Sequence, residues 1–264
     1  MVSFRSPINK PFPEAIDRSP MVHSDGLSPV PLLTADASQR LQHIRQICQG
    51  IPPGVRVMAV TKTVPADQVR LAYGAGIRDF GENRIQEALP KQEELQDLKD
   101  VTWHFIGRLQ SNKVRKAIEQ FDWIHTVDSL KLAERLHRIA QELGRSPQVS
   151  LQVKLRPDDT KGGWPLPDLV QVLPQLQHYD HLRIGGIMVI PPRALSPGET
   201  LTLFQEAHRL FQDLQRDFPP ATGSPFQWQH LSLGMSNDYP LALESGTTLV
   251  RLGSLLFGDR RPQA

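Results

Sequence analysis

Lys62 is the residue whose type and position suggest the most distinctive chemistry in this chain of 264 residues. It follows the valine-rich run 55–61, which predicts a buried strand, and it precedes Pro65, which is typical of the first turn of a helix. A lysine at such a junction is partly dehydrated, and dehydration favours its neutral amine, which forms Schiff bases with aldehydes. The alternative is a solvated lysine at a strand end, so other residues must decide between the two.

The elements that would position Lys62 form a regular alternation. Helical patterns fall near 65–74, 83–98, 110–120, 129–143, 165–177, 198–217 and 236–245, and a further helix precedes the first strand. Candidate strands cover 55–61, 77–80, 102–106, 123–127, 149–155, 183–190, 229–233 and 248–252. Eight strands with intervening helices predict a single parallel (β/α)8 barrel of the α/β class, with a doubly wound open sheet as the competing fold.

The last two predicted strands are each followed by glycine and serine at the start of a helix. Backbone N–H groups at a helix start, together with a serine hydroxyl, bind anions, and many barrels hold a phosphate at these two strands. The alternative is that both serines are simple helix caps. The two turns together predict a phosphate site formed by Met235, Ser236, Gly253 and Ser254.

Three further polar residues lie on or just after predicted strands. Arg251 interrupts an apolar strand on its inward face, where it needs either an acidic partner or a ligand atom. Asn83 follows the second strand and could bind a ligand or cap the next helix. His104 lies between Trp103 and Phe105. It could contact a ligand, or it could be a core histidine with its own partners.

Composition excludes several classes of function. The net charge of +2 argues against nucleic acid or an anionic membrane as a partner, and the basic cluster at 108–116 is typical of a solvated face. The single cysteine, Cys48, fits a reducing compartment, and we predict a cytoplasmic location. No apolar stretch approaches the length of a transmembrane helix, and no histidine or cysteine cluster has metal-ligand spacing.

The first 31 residues differ from the rest, with six prolines and five serines and no continuous apolar core. This composition predicts a disordered tail over 1–31, ahead of a barrel domain over 32–260. A targeting peptide fits the composition less well, and Met21 leaves open a later start of translation.

Five groups of residues, in this order, resemble the pyridoxal-phosphate homeostasis protein family over residues 36–260. They are Thr61-Lys62-Thr63; Phe80-Gly81-Glu82-Asn83; Trp103-His104-Phe105-Ile106-Gly107 with Leu109-Gln110-Ser111-Asn112-Lys113; Leu231-Ser232-Leu233-Gly234-Met235-Ser236; and Val250-Arg251-Leu252-Gly253. The resemblance implies a barrel similar to the N-terminal domain of alanine racemase. It also implies binding of pyridoxal 5'-phosphate without catalytic turnover, and a role in vitamin B6 balance and amino- and keto-acid homeostasis. Candidate partners are pyridoxal-phosphate-dependent apoenzymes, and a monomer is expected.

The resemblance also implies roles for individual residues. Lys62 would hold the cofactor as a Schiff base, and Arg251 would approach its pyridine nitrogen. Asn83 would lie near the ring and His104 would line the site, while Met235, Ser236, Gly253 and Ser254 would surround the phosphate. The loop 160–163 departs from the family by having Gly162 where many members have serine after the lysine.

Two enzymatic alternatives remain open at this point. A racemase needs a second acid or base on the opposite face of its substrate, and Tyr239 is the one tyrosine near the predicted site. An aldolase using Lys62 needs acid–base partners, for which Glu82 and Asp128 are candidates, although they form no clear pair. A permanently charged Arg251 beside the pyridine nitrogen would make the ring a weak electron sink, so we expect no efficient turnover.

Overall fold

The computed structural model describes residues 35–258, in which helices alternate with strands. The strands are β1 (Arg56–Val60), β2 (Asp79–Glu82), β3 (Thr102–Phe105), β4 (Trp123–Val127), β5 (Gln148–Lys154), β6 (Trp164–Pro165), β7 (Arg183–Val189), β8 (Phe226–Met235) and β9 (Leu249–Leu252). The helices are α1 (Ala35–Gln49), α2 (Ala66–Gly74), α3 (Ile85–Glu94), α4 (Val114–Gln120), α5 (Leu130–Glu142), α6 (Leu166–Leu176), α7 (Pro197–Asp217), α8 (Tyr239–Glu244) and α9 (Ser254–Phe257). The predicted tail over 1–31 lies outside the described residues.

The strands form one closed parallel sheet. Their order is β4, β3, β2, β1, β9, β8, β7 and β5, and a direct pairing between β5 and β4 closes the ring. The two-residue strand β6 pairs with the end of β5 and takes no part in the closure. The predicted (β/α)8 barrel and the helix before its first strand are therefore confirmed.

Two strands differ from the sequence prediction by more than one residue at an end. β2 covers Asp79–Glu82 and not 77–80, so Gly81 and Glu82 belong to the strand and Asn83 is the first residue after it. β8 extends from Phe226 to Met235, longer at both ends than the predicted 229–233. Apolar runs mark the buried middle of a strand, whereas the carboxyl-terminal additions include Gly81, Glu82 and Gly234, which carry little strand propensity. Phe226 and Trp228, at the other end of β8, favour a strand, so propensity does not explain their omission.

The helices pack their apolar faces against the outside of the barrel. In α5, for example, the buried residues are Leu132, Ala133, Leu136, Ile139 and Ala140, which repeat at the helical period. In the first helix, the His43 Nε2 lies 2.9 Å from the Leu255 carbonyl oxygen, which ties α1 to α9. Across residues 35–258, every helix is too short or too polar to cross a membrane.

Candidate functional site

Four strands that are neighbours in the barrel, in the order β2, β1, β9 and β8, carry seven of the eight predicted cofactor-binding residues. Asn83 follows β2, Lys62 follows β1, Arg251 lies within β9, Gly253 and Ser254 follow β9, and Met235 and Ser236 lie at and beyond the end of β8. In a parallel barrel these carboxyl ends share one face. The eighth residue, His104, lies on β3, which adjoins β2.

Lys62 occupies a tight turn directly after β1. The turn is closed by the N–H of Val64, which donates to the carbonyl oxygen of Thr61 at 2.9 Å. Thr63, the third residue of the turn, has a φ of 61°. A β-branched residue in this left-handed region is strained by about 1–3 kcal/mol, and such strain tends to occur at binding sites. The half-buried Lys62 is therefore presented by an unusual, tightly fixed piece of backbone.

A buried ion pair lies behind this turn. Lys91 Nζ donates to Glu82 Oε1 at 2.5 Å and to the carbonyl oxygen of Thr61 at 2.7 Å. The hydroxyl of Thr61 donates to the same carboxylate oxygen at 2.7 Å. Because Thr61 precedes Lys62 and Glu82 precedes Asn83, this cluster fixes the ends of both strands at once. Sequence reasoning missed Lys91, although a lysine spaced with Ile85 and Ala88 on the apolar face of α3 was an available signal.

Asn83 combines a fixed backbone with an unused side-chain acceptor. At Gly107, an added Cβ would lie 2.0 Å from the Asn83 carbonyl oxygen, so the end of β3 packs directly against the Asn83 backbone. The side-chain Oδ1 of Asn83 is buried and has no hydrogen-bond partner among residues 35–258. A buried acceptor left in this condition costs free energy unless a ligand satisfies it.

The two predicted phosphate turns are joined by a serine hydroxyl. Ser236 Oγ accepts hydrogen bonds from the N–H of Gly253 at 3.1 Å and from the N–H of Leu255 at 3.2 Å. The turn after β8, residues 235–238, is closed by the N–H of Met235, which donates to Asp238 Oδ1 at 2.5 Å. Ser236 and the backbone N–H groups at the start of α9 thus converge, and Ser254 lies exposed beside them.

Arg251 is held rigidly inside the barrel. One of its terminal nitrogens donates to the carbonyl oxygen of Ser232 at 2.9 Å and to its hydroxyl at 2.7 Å, and the other donates to the Val189 carbonyl oxygen at 3.0 Å. Burial lowers the pKa of Arg251 to about 10, against the opposing effect of Asp238. The guanidinium therefore remains charged at neutral pH. Its hydrogen bonds to the protein use three of its five N–H groups, so the others remain for a ligand.

His104 belongs to a polar chain that crosses the barrel interior. Its Nε2 lies 2.8 Å from Asp79 Oδ1, and its Nδ1 lies 2.9 Å from His125 Nε2. The chain continues from His125 Nδ1 to Ser150 Oγ at 3.3 Å, and Ser150 Oγ accepts from Trp123 Nε1 at 2.7 Å. Both ring nitrogens of His104 thus face protein groups, so its place beside a cofactor stays a prediction.

The burial of His125, and of His230 whose ring packs against Trp123, favours their neutral imidazoles. Burial is the main cause that places the pKa of His125 well below its usual value, and burial also lowers the pKa of His230 to about 3. Burial alone would raise the pKa of Asp79, but its hydrogen bond and charge interaction with His104, and those with Arg56, outweigh burial and lower it. Asp79 is therefore an anion that accepts from Arg56 and anchors one end of the chain.

The loop 160–163, which departs from the family pattern, is tightly packed. A Cβ at Gly162 would lie 2.5 Å from Asp128 Oδ2, and Gly163 has a φ of 134°. Lys161 Nζ donates to the Pro191 carbonyl oxygen at 2.5 Å. Backbone conformation thus explains Gly163, whereas a side chain at Gly162 would require only that the end of Asp128 move.

The strand-end residues fit a phosphate-bearing aromatic aldehyde such as pyridoxal 5'-phosphate. Lys62 supplies an amine for the aldehyde, and the hydroxyls of Ser236 and of Ser254 at the start of α9 supply donors for a phosphate. Arg251 supplies a fixed cation for a ring nitrogen, and the unused Asn83 Oδ1 can accept from a ring hydroxyl. Within residues 35–258, no three His, Cys, Asp or Glu side chains are placed so that together they could hold a metal ion.

Comparisons with known proteins agree with this arrangement. The family model described as "Alanine racemase, N-terminal domain" matches residues 36–261. A pyridoxal phosphate homeostasis protein of Synechocystis is 50% identical over 215 residues, which cover 81% of this chain and 96% of that protein. A protein of the same name from Aquifex aeolicus is 35% identical over 227 residues, covering 85% of this chain and 96% of its own length.

Solved structures show the same similarity. The PipY protein of Synechococcus elongatus with pyridoxal phosphate bound has a TM-score of 0.77 and 50% identity, covering 83% of this chain and all of its own. The same protein without the cofactor has a TM-score of 0.79. An alanine racemase of Streptomyces lavendulae shares the fold alone, with a TM-score of 0.67 at 17% identity, covering 85% of this chain and 58% of the racemase chain.

Proposed function

The chain belongs to the pyridoxal phosphate homeostasis protein family, and from that premise we propose that it binds pyridoxal 5'-phosphate as a Schiff base on Lys62 and serves vitamin B6 homeostasis. The role extends to the balance of amino and keto acids that depends on the cofactor. The observation that carries the proposal is the placement of Lys62, Asn83, Arg251 and the Ser236–Gly253 contact on four neighbouring strand ends.

Each residue has a role that its surroundings support. Lys62 attaches the cofactor covalently, held in place by the Thr61 turn and the buried Glu82–Lys91 pair. Met235, Ser236, Gly253 and Ser254 surround the phosphate. Asn83 accepts a hydrogen bond from the ring substituents, and Arg251 places a fixed positive charge at the pyridine nitrogen.

We propose that this protein does not turn over substrate efficiently, as its curated relatives are named for homeostasis and not for a reaction. Arg251 stays charged and holds its proton, so a ring nitrogen beside it remains unprotonated and withdraws electrons weakly. Two of the three tyrosines are committed elsewhere, since Tyr73 donates to Asp100 and Tyr179 accepts from Gln175. Tyr239 packs against Gly234, where an added Cβ would lie 2.9 Å from the Tyr239 Cα.

The aldolase alternative lacks support from the carboxylates. Glu82 is engaged by Lys91 and Thr61 between the strands and α3, and Asp128 lies against the loop at Gly162. Neither is therefore placed as a free acid–base partner for Lys62. The finer parts of the proposal are a cytoplasmic location, a monomeric state and delivery of the cofactor to apoenzymes.

The test is the visible absorption spectrum of the purified protein after incubation with pyridoxal phosphate, followed by borohydride reduction and peptide mass mapping. We expect a long-wavelength absorption band, and a reduced pyridoxyl group on the peptide that contains Lys62. A protein that stays colourless, or a label distributed over several surface lysines, would contradict the proposal.

A further inference from the structure

A cationic cleft lies beside the loops that follow β3 and β4, on the side of the barrel mouth away from β9 and β8. Its main cavity has a volume of about 500 Å³ and is lined by Arg108, Leu109, Gln110, Ser111, Asp128, Ser129, Lys131 and Leu132. A second cavity of about 400 Å³ shares Ser111 and Lys131 with the first and adds Glu134, Arg135 and Arg138. The joint space is within the size range of small-molecule sites.

Four cationic side chains face this cleft without partners. Within residues 35–258, the side chains of Arg108, Lys131, Arg135 and Arg138 make no hydrogen bond or ion pair to the protein, and the Nε of Arg135 is buried in this condition. A buried guanidinium N–H without an acceptor is costly, so it points to an acceptor supplied from outside.

Two other basic residues near the cleft have protein partners. Arg115 of α4 pairs with Glu142 at 2.5 Å, and Arg145 donates to the carbonyl oxygen of Ile118 at 2.9 Å. The acid that lines the cleft, Glu134, accepts from Gln175 of α6 at 3.4 Å and not from the cations. Exposed Lys116 of α4 also makes no hydrogen bond or ion pair within residues 35–258, so what distinguishes the cleft is the buried Nε of Arg135 in a cavity lined by further cations.

Three of the cations form a row on one helix. Lys131, Arg135 and Arg138 are four and three residues apart in α5, so they lie on one face and span about 10 Å. Like charges at these spacings repel each other and destabilise a helix, and an anionic ligand would remove this repulsion. A chain of linked phosphates carries several negative charges over a comparable length and suits arginine forks.

We propose that this cleft binds a small oligophosphate ester of the nucleoside triphosphate type. Its phosphates would lie along the row of Lys131, Arg135 and Arg138. Its organic part would lie against Leu109 and Leu132, where the carboxylate of Asp128 can accept hydrogen bonds from hydroxyl or amino groups. This site is separate from the Lys62 turn, and the inference does not depend on the proposed function.

Calorimetric titration of the full-length protein with ATP and with inorganic tripolyphosphate tests the proposal. We expect both to bind, ATP more tightly, and the triple variant Lys131→Ala/Arg135→Ala/Arg138→Ala to weaken both by about tenfold or more. The charge-matched triple Lys116→Ala/Arg193→Ala/Arg209→Ala, which removes three exposed cations elsewhere, should bind like the unaltered protein. The double variant Lys131→Ala/Arg138→Ala alters exposed side chains alone and covers the case in which the triple fails to fold.

Three results would overturn the proposal. They are no binding of either probe, equal weakening in the charge-matched control, and displacement of ATP by a single-stranded oligonucleotide at far lower concentration, which would assign the cleft to nucleic acid. Equal affinities for ATP and tripolyphosphate would overturn the placement of the organic part. The Lys62→Ala variant should bind ATP unchanged, so a failure of cofactor loading and a failure of this site are distinguishable.

Discussion

The strand ends around Lys62 and the polar chain through the barrel interior both bury ionisable groups, but they satisfy them differently. In the interior chain, each ring nitrogen of His104 and His125 has a protein partner. At the strand ends, the buried Asn83 Oδ1 has no hydrogen-bond partner among residues 35–258. The difference indicates that the interior chain serves the fold, whereas the strand ends keep polar capacity for a ligand.

Backbone strain separates the two regions in the same way. Thr63 has a φ of 61° in the turn that carries Lys62, whereas β2 to β5, the strands of Asp79, His104, His125 and Ser150, contain no residue with positive φ. Among residues 35–258 the other non-glycine residue with positive φ is Trp228 in β8, at 30°. Strain persists where the surroundings hold it in place, and here the Glu82–Lys91 pair and the Thr61 carbonyl do so. The strain at Thr63 is explained if the turn serves to position the Lys62 amine at the site.

The largest expected effect comes from removing that amine. Lys62→Ala should abolish covalent cofactor attachment completely, because the other strand-end residues can only bind the phosphate and the ring. The fold should persist, since Lys62 is only half-buried. Visible absorbance after cofactor addition measures the first effect and thermal denaturation the second. Lys154→Ala, at the end of β5, is the matched control and should retain the absorption band.

The buried ion pair should have the largest effect on stability. Glu82→Leu leaves the Lys91 ammonium buried without its counter-charge, so we expect the free energy of unfolding to fall by about 3–5 kcal/mol. The double variant Glu82→Leu/Lys91→Met removes both charges and should recover part of that loss. Denaturant titration measures both variants. A double variant no more stable than the single one would show that the pair contributes little beyond packing.

Burial of His230, whose ring lies 5.2 Å from that of Trp123, should make stability depend on pH. The pKa of His230 is lowered from 6.5 to about 3 in the folded protein, so as the pH falls the unfolded chain binds a proton first. This part of the stability is fully present above pH 6.5 and declines toward pH 3. Between pH 7 and pH 5 the loss should be about 2 kcal/mol for this histidine.

Denaturant titration across that pH range measures the effect of His230, and buried His125 should add to it in the same direction. His230→Gln should flatten the dependence, whereas His178→Gln, at an exposed histidine, should leave it unchanged. An equal flattening in both variants would mean that the interior histidines are not its source.

The smallest effect concerns the strained turn. Asparagine tolerates positive φ better than threonine, so Thr63→Asn should stabilise the fold by up to about 1 kcal/mol. Thermal denaturation measures this gain, and Thr160→Asn, in another exposed loop, serves as the control. A loss of stability in Thr63→Asn would argue against strain at this turn.

The sequence predicted the elements better than the polar contacts between them. The eight barrel strands followed from apolar runs, and the positions of Lys62, Arg251 and Ser236 followed from where polar residues interrupt or end those runs. The Glu82–Lys91 pair was not predicted, because its two members lie on different elements and meet only after α3 packs against β2. Pairing across elements depends on tertiary packing, which local patterns do not encode.

The histidine on β3 shows the same limit. The sequence placed His104 on a strand beside the site, but the direction of its ring depends on Asp79 and His125, which are 25 and 21 residues away along the chain. The short strand β6 escaped prediction because two residues give no periodicity. The packing of Gly162 against Asp128 depends on the same kind of distant contact.

The most direct test of this comparison is a cofactor titration, followed by visible absorbance, of Ser236→Ala and His104→Gln side by side, each at a pH where the variant is folded. We predict that Ser236→Ala needs several-fold more pyridoxal phosphate for half-loading, because it loses the hydroxyl between the two phosphate turns, and that His104→Gln loads like the unaltered protein. A folded His104→Gln protein that fails to load, beside a Ser236→Ala protein that loads normally, would contradict the account.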